Sequence, residues 1–270
     1  YNFMIISQEF SGNESANWYV TAPGGAEMRI DPSSPDQAGW WATGAPPATI
    51  NEPDTHLTVA SSSTLELNTT DVAVLGNLNL GGADLSIGGT SPGVSVAGIG
   101  GTGTITSSPD LVIRDTIAPG NSVGLLVVEG NTAVEARATF VFEINSATGA
   151  AGTSWDLLDV NGTLDITSLS TAEPMTVEIV SLDGDSPGEI ANFACTVPYE
   201  WEFLTYDVLE GAFSEELFVL DTTAFANALG KGYFEIIQTA SGLAVSYVPE
   251  PSTLLLALLG MLLLLVRRRR

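Results

Sequence analysis

The chain has 270 residues, 44% of them hydrophobic, which is enough apolar material to bury a core and excludes a wholly disordered tail. Only 8 Lys and Arg stand against 32 Asp and Glu, giving a formal net charge of −24, so the body is repelled by nucleic acid and by anionic lipid. Half of the positive charge lies in Arg267, Arg268, Arg269 and Arg270, so the remainder of the chain is more acidic still.

The opening YNFMIISQEF has neither an initiator Met nor a basic-then-apolar leader, and the expectation is a truncated N-terminus whose secretory signal peptide is missing. Residues 1–53 are an irregular segment rich in Trp, Gly and Pro, with loops and a few short strands. Trp18, Tyr19, Trp40 and Trp41 lie here, and two readings stay open. Aromatic faces stack on pyranose rings and so can make a carbohydrate platform, or the same side chains can plug the end of a β structure.

Residues 54–167 change to short alternating runs of Val, Ile, Leu and Thr broken by Gly and Asn. Period two predicts strands with one buried face. The runs LELN, AVLGNLNLGGADLSIGG, GTGTITSSPDLVI and GLLVVEGN resemble one another loosely, as stacked coils of a β-solenoid do, although a β-sandwich shares the same local pattern.

Residues 168–247 carry longer strand candidates, MTVEIVSL, WEFLTYDVL, LFVLD, GYFEIIQT and GLAVSYV, and read as a β-rich cap with one possible helix at TTAFANAL. Cys195, the single cysteine, has no partner for a disulfide and reads as a small buried hydrophobe. His56, the single histidine, reads as a surface or strand-edge residue.

Oxygen ligands for calcium are offered by Asp156, Asp159, Asn161 and Asp165, and again by Asp183, Asp185 and Glu189. Neither set has the twelve-residue loop spacing, so the expectation is no cofactor and at most a structural calcium ion. The chain has no nucleophile elbow, no zinc-binding His pair, no paired Cys motif and no phosphate loop, and the expectation is that it is not an enzyme. The rivals are a carbohydrate-active enzyme, which needs carboxylates gathered beside Arg114, Arg137 or His56, and a carbohydrate-binding protein that uses the N-terminal tryptophans.

At the far end, residues 253–266 are uncharged and dominated by Leu, and about 14 residues at roughly 1.5 Å each span only about 21 Å. The flanks read as a membrane segment nonetheless. Pro251 suits a helix's first turn, and the arginine cluster cannot enter a core and fixes its own end as cytoplasmic. The prediction is one transmembrane helix over residues 253–266, with Leu254 and Leu265 as anchor residues, stopped by Arg267, Arg268, Arg269 and Arg270, with the acidic body outside.

Two stretches resemble known families. Pro119 to Gly130, Phe140 to Ile144 and Asp156 to Gly162 are similar to the autotransporter-associated β-strand repeats of bacterial surface proteins, and that resemblance implies a right-handed, β-helix-like solenoid. Residues 248–270, with Pro249, Glu250 and Pro251, a brief hydrophobic helix and the arginines, resemble the PEP-CTERM sorting signal.

The second resemblance implies export, a temporary anchor in the membrane and processing near Pro249, Glu250 and Pro251 by an exosortase, in Gram-negative-type bacteria that make exopolysaccharide. It implies recognition of those three residues by another protein's active site and no catalytic role for them. The expected product is a structural or adhesive protein of the cell surface or extracellular matrix, associated with exopolysaccharide or biofilm.

Overall fold

Alternation of Leu, Ile and Val with polar residues becomes, in the computed structural model, a set of parallel strands that share one apolar interior. The structure describes residues 18–21, 27–30, 41–42, 57–59, 64–69, 73–89 and 93–250. Near the N-terminus β1 (Trp18–Thr21), β2 (Glu27–Ile30) and β3 (Trp41–Ala42) form an antiparallel sheet, in which Arg29 pairs with Tyr19 on one side and Trp41 on the other.

The large sheet begins with β4 (Leu57–Val59), β5 (Thr64–Thr69) and the long strands β6 (Ala73–Gly89) and β7 (Gly93–Ser107). It continues through β8 (Asp110–Pro119), β9 (Leu125–Glu129), β10 (Thr132–Val134) and β11 (Thr139–Ile144). The later strands are β12 (Leu157–Asp165), β13 (Met175–Asp183), β14 (Ser186–Pro187), β15 (Tyr199–Glu210) and β16 (Phe218–Asp221). Last come β17 (Tyr233–Gln238) and β18 (Gly242–Val248).

The registers resolve this sheet into three parallel ladders. In one, Leu57, Leu78, Ile99, Ile117, Phe140, Val177 and Leu220 follow one another rung by rung. In a second, the rungs are Leu65, Leu85, Ile105, Val128, Val160 and Tyr206. In the third, Ala73, Val94, Leu111, Thr132, Leu164 and Leu209 align.

The chain visits the three ladders in unbroken rotation, so each circuit lays its apolar residues directly over those of the circuit before. Leu78, Ile99, Ile117, Phe140 and Val177 are at most 2% exposed, as are Leu85, Ile105, Val128 and Val160. One set of strands could not shield these side chains alone; pairing with the next removes them from water at roughly 25 cal/mol per Å².

β6 and β7 run through two corners each, and glycine permits the second corner of each. Gly82, Gly101 and Gly103 have φ of 82°, 81° and 133°, a region costly for residues with a Cβ. A Cβ on Gly101 would also collide with the Leu80 carbonyl beneath it.

Circuits after Phe140 lengthen and carry loops, yet the ladders run on through Asp221. The final turn is closed by an antiparallel sheet, with β18 between β15 and β17. Under it pack Phe193, Tyr199, Trp201, Phe225, Phe234 and Tyr247, with Tyr199 stacked on Trp201 at 5.4 Å and 8°.

The predicted helix at TTAFANAL does not form. Residues 222–229 form irregular backbone with a turn at 223–224 and a bend at 227, because stronger partners lie outside the segment. Asp221 accepts the amide and hydroxyl of Thr223, the Ala226 amide donates to Ser181 Oγ, and Asn227 both accepts the Ile190 amide and donates to its carbonyl. Cys195 is half-buried against the core edge.

Among the described residues no helix is long and apolar enough to cross a membrane. The predicted span, with Leu254, Leu265, Arg267, Arg268, Arg269 and Arg270, lies outside the described residues, as do Pro251, Trp40 and His56.

Candidate functional site

The C-terminal strand positions the stretch singled out by its prolines. β18 is paired on both sides along its length, and its last rung is Val248 against Tyr233. Pro249 has no backbone N–H to donate, so the ladder ends there, and Glu250 stands half-exposed beyond it.

Tyr247 is the anchor. It is fully buried, touches the rings of Phe193 and Phe234 at 5.0 and 5.3 Å, and directs its hydroxyl at the Leu229 carbonyl (2.7 Å) and the Cys195 carbonyl (3.0 Å). Burial, followed by the neighbouring Cys195 and Tyr199, raises the pKa of this hydroxyl above its ordinary value, so it stays a donor.

The turn from Leu229 to Gly232 lies across this anchor. The Gly232 amide closes it on the Leu229 carbonyl at 3.0 Å, Gly230 takes φ of 63°, and any Cβ on Gly232 would strike the Tyr247 hydroxyl. Lys231 projects from the turn and pairs with Glu250 at 3.4 Å. Sequence reasoning found Glu250 but not Lys231, whose signal was its being the chain's single lysine, set between two glycines.

The acidic residues considered for calcium do not converge. Asp156 is fully buried and accepts the Gly124 and Glu143 amides, each at 2.8 Å. Asp159 accepts the Thr205 hydroxyl, Asn161 donates to Glu129, and Asp165 accepts the Thr167 amide. Asp185 accepts the Ser122 hydroxyl, while Asp183 pairs with Ser186 in the hairpin of β13 and β14. Among the described residues no group of three His, Cys, Asp or Glu is arranged to hold a metal ion.

Burial pushes the Asp156 carboxyl up to about 8, against the lowering effect of its two amide donors and with a smaller raising effect from Glu143. Glu143 is also raised, by burial and then by the charge of Asp185. Of the cationic groups of the enzyme reading, Arg137 is spent on an exposed ion pair with Glu173 at 2.7 Å.

Among the described residues the geometry defines a mainly β protein whose last paired strand delivers Pro249 and Glu250 to the surface. Residues 248–270 match the PEP-CTERM protein-sorting motif, which supports export and surface-directed sorting by an exosortase-type system. No curated protein and no solved structure matches the chain.

Proposed function

We propose that this chain is an exported structural or adhesive protein of the cell surface or extracellular matrix, with a β-solenoid body carried to its destination by residues 248–270. The cyclic order of the three parallel ladders supports the solenoid reading, and the right-handed sense follows the general preference of parallel crossovers. The body works by presenting its stacked outer faces, not by turnover, and exopolysaccharide or biofilm matrix is its setting.

The observation that carries the reading is the sorting motif starting where β18 runs out of partners. A folded body that ends at Val248 loses nothing of its core when an exosortase removes the residues beyond that point. Before processing, the hydrophobic segment and Arg267, Arg268, Arg269 and Arg270 hold the chain in the membrane.

Fractionation of host cells with mass mapping of the C-terminus tests this. The expected result is a surface or matrix form ending near Pro249, Glu250 and Pro251. Cytosolic protein, or surface protein that keeps Arg270, overturns the sorting and processing scheme.

A further inference from the structure

Lys231 meets Glu250 at the point where the chain leaves the fold. The turn bearing it is built against the exit strand. The Leu229 carbonyl accepts the Tyr247 hydroxyl at 2.7 Å, and Gly232 lies so close to that hydroxyl that no other side chain fits without displacement. The turn is therefore tied to the exit strand, and the single lysine of a chain of net charge −24 is held beside the motif's glutamate.

The pair has a thermodynamic consequence. A protein that encloses the Glu250 side chain in a pocket of its own must draw it away from Lys231, because the folded body beside it cannot follow it into that pocket. A ligand shifts an equilibrium only by its differential affinity for the two states, so the pair lowers the fraction of chains whose motif is free.

From this arrangement we infer that Lys231 is a positioning residue: it clasps Glu250 to the body and slows access of the processing enzyme to the Pro-Glu-Pro segment. The inference rests on the reading of residues 248–270 as a processed sorting signal. An exposed ion pair limits the effect to about two- to fivefold, which is a brake on processing and not a block.

The test uses the full chain in detergent and a post-proline endoprotease, with cleavage at the Pro249–Glu250 and Pro251–Ser252 bonds followed by intact mass. Lys231→Ala is expected to raise the initial rate about two- to fivefold at low salt, with Lys231→Arg restoring the wild-type rate. Salt of about 0.5 M should bring wild type up to the rate of Lys231→Ala, since screening weakens the pair. Melting midpoints should stay equal, because Lys231 is 74% exposed. Equal cleavage rates for wild type and Lys231→Ala overturn the clasp.

Pulse-chase labelling in the host separates the two ideas. Faster loss of the C-terminus in Lys231→Ala supports both. A clasp effect with the endoprotease, together with host protein that keeps Arg270 in both forms, refutes processing and leaves the clasp as a tether. Processing at equal rates in the host overturns the proposed brake.

Discussion

The Gly124 amide donates to Oδ1 of Asp156 across 2.8 Å, joining the approach to β9 to the approach to β12 inside the protein. The other carboxyl oxygen accepts the Glu143 amide, and the Asp156 amide returns a bond to the Glu143 carbonyl at 2.9 Å. One buried acid thus ties together segments of two different ladders.

Asp156 makes stability depend on pH. Its folded pKa of about 8 lies above the ordinary 3.8, so between these values the native state holds a proton that the unfolded chain has lost. Its contribution is full below about pH 4 and declines as pH rises toward 8. Asp156→Asn leaves one amide without its acceptor, at a cost of about 1–3 kcal/mol near pH 5, and the gap to wild type should narrow toward pH 8. Denaturation midpoints followed by tryptophan fluorescence across this range check both the sign and the narrowing.

Thr132 stands between Leu111 and Leu164 in a buried column, 1% exposed, and its hydroxyl has no hydrogen-bond partner. Thr132→Val keeps the shape and removes the desolvated group. It should stabilise the protein by about 1 kcal/mol, seen as a higher denaturation midpoint.

Phe140 is fully buried between Ile117 and Val177 and meets Phe203 edge-on at 4.9 Å. Phe140→Ala should cost about 3–5 kcal/mol, because the ladders above and below are held by backbone bonds and cannot collapse into the cavity. Calorimetry measures this directly; a loss near zero would mean that the column is not tightly stacked.

Gly232→Ala should cost about 1–3 kcal/mol by forcing the turn away from Tyr247. Tyr247→Phe removes the hydroxyl and should relieve part of that cost when the two are combined, leaving the clash with the ring itself. A double-mutant cycle reads the coupling, and strict additivity would show that the two groups do not touch.

The strands were legible because period-two alternation records which side of each strand faces the core, as in TFVFEI, where Phe140, Phe142 and Ile144 are all buried. TTAFANAL misled because its helical propensity is local, whereas Asn227 and Ala226 find partners on Ile190 and Ser181, distant in sequence. Asp156 looked like a ligand because a carboxylate in sequence does not announce which amides will surround it.

By itself the sequence determined the apolar periodicity, the acidic balance and the order of parts in the C-terminal signal, since each is a property of neighbouring residues. Only tertiary structure decided which rung follows which, that Thr132 and Asp156 lie inside, and that Lys231 faces Glu250. The physical reason is that register in stacked parallel strands is set by burial and backbone pairing between circuits far apart along the chain. A short pattern carries no record of those partners, and for that reason Glu250 could be read from PEP while the lysine that holds it could not.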